Sequence, residues 1–297
     1  MNHPLLARYG LKWNPFSSDI PIEALYRTPK VDSFCWRVEK NLLREGGFAM
    51  ITGEPGTGKS VTLRMLAQRL NDVRDVSVGV ISLPSGRLAD FYREMGDLFG
   101  IELSPHNRWG GFRKLRERWA AHQETTLTRP VLLIDEAQEA PSAVLNELRL
   151  LSSAEFDSRH LLSVVLVGDK RLNNKLRHED LLPLGSRIRT RLATEYATRE
   201  DLTGCLKHLL HQAGNATLMS EALITTLSEH AIGNYRVLIG MAAELLSYAV
   251  EHELTHLDEK HYLQYFAVPT IVRKEKQGHH ENKIQTDAGK IMPKGRR

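Results

Sequence analysis

The sequence predicts an α/β fold in which helices cover both faces of a parallel sheet, followed by a smaller all-helical region. Short apolar segments alternate with helical segments up to about residue 198, with no internal repeat. One apolar segment leads into a glycine-rich loop, and another ends in two adjacent carboxylates. From about residue 199 the strand patterns stop and only helical periodicity remains.

The first element is a short apolar strand at residues 48–51, followed by a loop that fits the pattern G-x-x-x-x-G-K-[ST] and then by a helix. Glycines let successive backbone N–H groups point at phosphate oxygens, and the helix adds the positive end of its dipole. This pattern predicts an ATP site, whereas the alternative is a chance glycine-rich turn. The predicted binding residues are Gly53, Glu54, Pro55, Gly56, Thr57, Gly58, Lys59, Ser60 and Val61.

Residues 76–81 form the second predicted strand, and the third, residues 131–134, is fully apolar and ends in Asp135 and Glu136. Ligands of such sheets bind at the carboxyl ends of the strands. We expect Asp135 and the Ser60 hydroxyl to hold Mg²⁺ and Glu136 to polarise the attacking water. Two solvated acids at a strand end are the alternative.

The remaining elements follow in order. Residues 161–167 and 189–196 are predicted strands, and residues 199–212, 220–230, 235–251 and 258–266 are predicted helices separated by breaks at Gly214 and Gly233. Residues 270–297 carry eight Lys or Arg against three Asp or Glu and almost no large apolar side chains. We expect a disordered basic tail at 269–297 that either meets nucleic acid or serves solubility.

Composition limits the class of protein. Of 297 residues, 41% are hydrophobic and 26% are charged, which allows a substantial core and favours two unequal units. Two cysteines, Cys35 and Cys205, are too few for a disulfide framework and indicate reduced thiols in a cytoplasmic protein. We recognise no secretory leader, and the longest mostly apolar stretch, residues 237–250, carries Glu244. We therefore expect no membrane contact.

Several motifs together resemble the AAA+ ATPases of the ExeA type, a group that overlaps the TniB- and TnsC-like ATPases that accompany DDE transposases. The motifs are the phosphate loop and residues 134–138, 145–152, 165–169, 186–188 and 233–236. The resemblance implies an AAA+ P-loop NTPase core with a smaller all-helical lid. The corresponding division is an amino-terminal strap at 1–29, a nucleotide-binding core at 30–198 and a lid at 199–268.

The resemblance also assigns two sensor positions. Asp169 matches the first sensor, which helps to align the attacking water, although similar proteins often carry Gln there. A turn-initiating Asp is the alternative. Arg236 matches the second sensor, from which a guanidinium reaches the phosphates; the alternative is an arginine on a helix surface.

Arg187, Arg189 and Arg191 lie where AAA+ proteins place the finger that completes a neighbour's active site. We favour Arg187 and take Arg189 as second choice. A residue supplied in trans requires a head-to-tail homo-oligomer, which closes a hexameric ring or propagates a helical filament. The alternating arginines are otherwise the exposed face of the last strand.

A DNA-binding ridge is predicted between residues 106 and 122. Four apolar residues share one face of the predicted helix, and three basic residues project from the other: Trp109, Phe112, Leu115 and Trp119, against Arg113, Lys114 and Arg118. With Arg87 in the loop after the second strand, this basic ridge could track the phosphates of double-stranded DNA. A solvated helix face with Glu117 as partner is the alternative.

Two further patterns are less informative. Residues 252–256 fit H-E-x-x-H, the zinc motif of metalloproteases, but its extended sequel fails at Glu259 and Tyr262, so we expect an amphipathic helix end instead. Residues 13–16 and 25–27 resemble the strap near the adenine base, although Phe16 and Tyr26 suit core anchors equally well.

The sequence thus predicts an Mg²⁺-dependent ATPase that binds DNA and regulates transposition through target selection and transposase recruitment, with a target-selector protein as a further partner. One alternative is a secretion-assembly ATPase of the ExeA type. Another is a nucleotide-gated scaffold in which hydrolysis only resets assembly.

Overall fold

The computed structural model describes residues 3–84, 86–104 and 107–266. The predicted basic tail, 269–297, lies outside the described residues, as does His106 at the start of the predicted ridge. No helix among the described residues has both the length and the apolar composition needed to cross a bilayer.

Strands and helices alternate through the first two thirds of the chain. The strands are β1 Gly47–Gly53, β2 Val76–Ile81, β3 Arg129–Ile134, β4 Ser153–Ala154, β5 Arg159–His160, β6 Ser163–Gly168 and β7 Ile188–Thr194. The helices are α1 His3–Tyr9, α2 Pro29–Arg37, α3 Leu43–Glu45, α4 Lys59–Asn71, α5 Leu88–Phe99, α6 Arg108–Thr125, α7 Ser142–Ser152, α8 Lys170–Lys175, α9 Leu182–Gly185, α10 Arg199–Ala213, α11 Glu221–His230, α12 Tyr235–Glu251 and α13 Glu259–Phe266. Single turns of 3₁₀ helix lie at Ile22–Ala24 and Ala137–Glu139, and a π-helical turn at Val38–Leu42.

Five strands form one parallel sheet in the order β2-β3-β6-β1-β7, which confirms the predicted parallel sheet. Side chains of successive residues in β1 lie on opposite faces of the sheet and pack in different apolar clusters. Phe48 and Met50 pack on the side of α5, α6 and α7, whereas Ala49 and Ile51 pack on the side of α2 and α4. Both faces are buried, and this explains why the central strands read as continuous apolar runs rather than alternating ones.

The second region consists of α10 to α13 around a separate apolar cluster. Thr198 and Asp201 form a capping box at the start of α10, and Gly214, at φ +103°, ends it. Tyr9, Leu11 and Phe16 of the amino-terminal segment are buried in this same cluster. Phe16 is therefore a core anchor, which is one of the two roles that its sequence context allows.

The predicted apolar face of α6 is wrong at one position. Leu115 and Trp119 are buried, but Trp109 is 70% exposed and stacks on Phe112, with ring centroids 5.7 Å apart. Residues six apart on an α-helix differ by about 120° around its axis. Trp109 is therefore displaced by that angle from Leu115 and lies off the face that packs on the sheet.

Candidate nucleotide-binding site

The glycine-rich loop connects the carboxyl end of β1 to the amino end of α4. Gly56 and Gly58 adopt φ values of +80° and +94°, which side-chain-bearing residues rarely adopt. Gly58 is the N-cap of α4 and provides no side-chain cap. The first N–H groups of this 13-residue helix are consequently available to an anion.

Lys59 is buried beneath the loop. Its side chain is 8% exposed, and Nζ donates to the carbonyl oxygens of Gly53 at 2.9 Å and Glu54 at 3.0 Å. An ammonium has three donors, so one N–H remains for a phosphate oxygen. Ser60, the next residue of α4, is exposed.

Two other elements contact the loop. Thr57 and Thr194, at the end of β7, place their hydroxyl oxygens 2.7 Å apart. From the all-helical region, Asn234 Nδ2 donates to the carbonyl oxygen of Pro55 at 3.2 Å. The loop is therefore held between the last strand of the sheet and the start of α12.

The acidic pair follows β3. Strand register aligns the carboxyl ends of β3, β6 and β1, so Asp135 and the phosphate-binding loop lie at the same edge of the sheet. Asp135 Oδ1 accepts the Glu136 N–H at 2.9 Å. Glu136 has a left-handed backbone, at φ +49° and ψ +38°, and the 3₁₀ turn Ala137–Glu139 begins directly after it.

Gln138 is a residue of this edge to which sequence reasoning gave no role of its own. Its side-chain Nε2 donates to Glu136 Oε2, and its Oε1 accepts the backbone N–H of Asp169 at 3.2 Å. The available signal was its place two residues after Glu136 within the run 134–138, where an amide side chain follows the acidic pair.

Asp169 has a local structural task. Its carboxylate accepts the Arg171 N–H at 2.7 Å, which caps α8, and accepts Arg171 Nε at 2.8 Å. This is the turn-initiating arrangement that the sequence left open as the alternative to a sensor. Lys170 instead reaches the phosphate-binding loop, with Nζ 2.6 Å from Glu54 Oε1, and this bond raises the pKa of Lys170.

The arginine candidates lie in two places. Arg236 is the second residue of α12 and exposed, and no side-chain hydrogen bond or ion pair from it occurs within the described part of the chain. Arg187 precedes β7 and pairs with Asp157. Arg189 pairs with Glu45 at 3.2 Å, and Arg191 donates to the carbonyl oxygen of Gly185 at 3.0 Å.

Arg187 is distant from the chain's own phosphate-binding loop. It lies at the amino end of β7, while Thr194, which touches the loop, lies at the carboxyl end. A strand of this length spans about 20 Å. Arg187 therefore lies too far away to contact a nucleotide held by its own loop.

The predicted basic ridge is exposed. Arg113 pairs with Glu117 at 3.4 Å, as the solvated-face alternative expects, and Lys114 donates to the carbonyl oxygen of Glu102 at 3.3 Å. Arg118 is exposed on the same helix, and Arg87 is exposed at the N-cap of α5. The ridge is thus accessible, but two of its four cations are partly engaged within the chain.

The H-E-x-x-H motif does not form a metal site. α12 ends at Glu251, His252 bonds back to the carbonyl oxygen of Tyr248 at 3.0 Å, and His256 pairs with Asp258 at 3.1 Å. Because the helix stops before the motif, the two imidazoles do not share a helix face. Within residues 3–84, 86–104 and 107–266 no group of three or more His, Cys, Asp or Glu side chains is arranged to hold a metal.

Comparison with known proteins supports this description. Residues 42–176 match a family model described as an AAA domain. General secretion pathway protein A of Aeromonas hydrophila is 32% identical over 209 residues, which are 69% of this chain and 37% of that protein. The chain therefore spans little more than a third of that relative's length.

Solved structures share the fold at low identity. Cdc6p from Pyrobaculum aerophilum matches with a TM-score of 0.65 at 19% identity, over 82% of this chain and 67% of that one. The Aeropyrum pernix ORC2 protein, solved as ADPNP–ADP complexes, matches with a TM-score of 0.67 at 14% identity, over 84% and 70%. Drosophila ORC bound to DNA matches with a TM-score of 0.65 at 16% identity, over 89% and 65%.

The family match covers the strand, loop and helix that carry Lys59 and the strand that carries Asp135 and Glu136. The structural matches extend over the all-helical region as well. Residues 42–176 are therefore similar to AAA domains, and the chain has the fold of the AAA+ P-loop NTPases.

Proposed function

We propose that this protein is an Mg²⁺-dependent ATPase whose nucleotide state controls assembly and DNA binding. One observation carries the proposal: at a single edge of the sheet, a glycine loop with its ammonium group faces two carboxylates at the end of β3. Backbone N–H groups and Lys59 would grip the triphosphate, and Glu136 would take a proton from the attacking water.

The residues present fit a magnesium ion. Mg²⁺ prefers oxygen ligands and is bound in such sites by one or two protein groups together with phosphates. The exposed Ser60 hydroxyl and the Asp135 oxygen that does not accept the Glu136 N–H are such ligands. When bound, the ion would neutralise charge that develops on the phosphates.

Assembly would be head to tail. Arg187 or Arg189, at the amino end of β7, would complete the site of a neighbouring subunit, and Arg236 would contact phosphate from the helical region of its own subunit. Asp169 remains a proposed sensor, although its carboxylate is engaged by Arg171.

We consider two biological settings, transposition and secretion assembly, and in both of them the protein would act in the cytoplasm. Transposition, with a transposase and a target-selector protein as partners, rests on the resemblance of motifs and on the exposed basic ridge. Secretion assembly is favoured by the 32% identity to general secretion pathway protein A. We propose DNA binding as the property that separates them, because the ridge would track phosphates whereas a secretion subunit needs no such contact.

Two variants test the ATPase. Lys59→Ala should abolish measurable uptake of ATP in calorimetry, while Lys30→Ala, at an exposed lysine paired with Glu195, should bind as wild type does. Glu136→Gln should bind ATP and lose hydrolysis. Normal ATP binding by Lys59→Ala would disprove the proposed site. If Glu136→Gln still assembles on DNA and recruits its partner, the protein is a scaffold rather than a motor.

DNA binding is tested by a salt series with duplex DNA in the presence of ATP. Replacing Lys114 and Arg118 by Gln should lower the slope of log affinity against log salt by about one per lost phosphate contact. Arg199→Gln, at an arginine of α10 paired with Glu229, is the control. A wild-type affinity that does not depend on salt would remove phosphate contacts and favour the secretion setting.

A further inference from the structure

The side chain of Gln138 connects the proposed general base to a different strand. Gln138 lies in the 3₁₀ turn Ala137–Glu139 after β3 and is 7% exposed. It bonds to the Glu136 carboxylate on one side and to the backbone of Asp169, directly after β6, on the other.

The chemistry of the two partners fixes the orientation of the amide. A backbone N–H can only donate, so the atom facing Asp169 must be the Gln138 oxygen. An ionised carboxylate can only accept, so the atom facing Glu136 must be the NH₂ group. Both ends of the amide are satisfied in one orientation, and the opposite orientation would satisfy neither.

The surroundings hold Gln138 in place. A Cβ atom added to Gly168, the last residue of β6, would lie 2.4 Å from Gln138 Oε1, so a side chain there would displace the Gln138 amide. Lys175 of α8 donates to the backbone carbonyl oxygen of Gln138 at 2.9 Å and also to that of Ala140. The turn is thereby fixed to β6, the strand next to β3 in the sheet, and to α8, the helix that follows β6.

We propose that Gln138 is a positioning residue for Glu136. It holds one carboxylate oxygen by a hydrogen bond and leaves the other free for the attacking water, so that the base is oriented by a third group. This inference rests on the proposed ATPase activity. The orientation of the Glu136 carboxylate then also depends on the end of β6, because Gly168 leaves room for the Gln138 side chain that bonds to Glu136.

The test replaces the amide and separates catalysis from binding. Gln138→Leu removes both hydrogen bonds at similar volume, and Gln138→Glu keeps the shape but cannot donate to Glu136. We expect kcat for ATP hydrolysis to fall about tenfold or more in both variants, because a misplaced base loses much of its contribution. The KM, the calorimetric affinity for ATP and the melting temperature should stay close to wild type.

A double variant distinguishes positioning from general destabilisation. If Gln138 acts only through Glu136, then Glu136→Gln combined with Gln138→Leu should hydrolyse ATP no more slowly than Glu136→Gln alone. Gly168→Ala should reproduce the loss of kcat by displacing Gln138. Gly240→Ala is the control, because a Cβ there meets no atom within 4 Å.

The outcomes separate the two proposals. A kcat within twofold of wild type in both Gln138 variants, or a fall in kcat matched by an equal loss of ATP affinity, overturns the positioning role and leaves the ATPase intact. Undiminished hydrolysis by Glu136→Gln, in contrast, overturns the proposed function itself. If Gln138→Leu does not fold, the kcat of the isosteric Gln138→Glu variant tests the positioning role by itself.

Discussion

The backbone N–H of Tyr235 donates a 3.0 Å hydrogen bond to the carbonyl oxygen of Gly56, so the first residue of α12 is attached to the phosphate-binding loop. The preceding residue, Asn234, has two tasks. Its Oδ1 caps α12 by accepting the N–H groups of Arg236 and Val237, and its Nδ2 donates to Pro55. A Cβ on Gly56 would lie 2.0 Å from Asn234 Oδ1. The start of the helical region and the loop are therefore fitted to each other.

Asn234→Ala should weaken nucleotide binding as well as stability. The lost cap should lower the free energy of unfolding by about 1 kcal/mol. The lost bond to Pro55 should also raise the dissociation constant for ATP several-fold, because the loop is no longer held in its binding conformation. Thermal unfolding and calorimetry with ATP measure the two effects.

Ser220→Ala is the matched control for this prediction. Ser220 caps α11 in the same way, by accepting the Leu223 N–H at 3.2 Å, but it makes no hydrogen bond to the phosphate-binding loop. It should lose similar stability and keep wild-type affinity for ATP. Equal affinities in the two variants would show that the contact with Pro55 is irrelevant to binding.

Glu147 should be a large contributor to stability. This carboxylate is 2% exposed, accepts the Tyr92 hydroxyl and is held bidentately by Arg108, the first residue of α6. Burial and the bond to Glu147 raise the pKa of Tyr92, and the same carboxylate raises that of Arg108. Glu147→Leu leaves a buried hydroxyl without its acceptor, and it should lower the free energy of unfolding by about 2–3 kcal/mol.

Denaturant unfolding measures that loss. Glu117→Leu is the control, since Glu117 forms an exposed pair with Arg113 on α6 and should change stability by less than about 0.5 kcal/mol. Similar losses in the two variants would mean that the buried network contributes no more than a surface pair does.

The central elements could be predicted because each carries a local signal. The loop from Gly53 to Ser60 is a contiguous pattern, and the strands that precede it and that precede Asp135 are short apolar runs of the kind that two covered faces require. Residues 76–81 and 235–251 were predicted with the bounds that the structure gives to β2 and α12.

What could not be predicted depends on contacts between distant parts of the chain. The bond between Gln138 and the Asp169 backbone joins residues 31 positions apart, and that between Asn234 and Pro55 joins residues 179 positions apart. No local periodicity encodes such pairs. Trp109 was predicted to share one helix face with Leu115 and Trp119 because steps of three residues look like one face, although they drift around the axis.

Both cysteines should react slowly in the folded protein. Burial disfavours the thiolate and raises the pKa of Cys35 to about 11 and that of Cys205 to about 12. At pH 8 the thiolate fraction of Cys35 should therefore be about 100-fold below that of an exposed thiol. A disulfide reagent should modify both residues quickly only after denaturation. Rapid modification of the native protein at pH 8 would contradict the buried environment.

The trans arginine can be tested by mixing two inactive variants. Lys59→Ala should not bind ATP but still offers Arg187, whereas Arg187→Ala should bind ATP but lacks the proposed finger. Because the finger comes from a neighbour, each variant alone should hydrolyse ATP at least about 10³-fold more slowly than wild type. Their mixture should regain part of the activity at interfaces where an intact loop meets an intact Arg187. Mixing Arg187→Ala with itself at higher concentration is the control and should recover nothing.

The ion pairs that Arg187 and Arg189 make within the chain indicate how far each side chain has to rearrange before it can reach a neighbour's phosphate. Arg187 is only 25% exposed and is paired with Asp157, so it has to exchange this partner for the neighbour's phosphate. Arg189 is 75% exposed and paired with Glu45, and it would need less rearrangement. If Arg187→Ala alone hydrolyses ATP normally while Arg189→Ala is inactive and is rescued by mixing with Lys59→Ala, then Arg189 is the finger. Rescue by neither pair would contradict the proposal that Arg187 or Arg189 of a neighbour completes the active site.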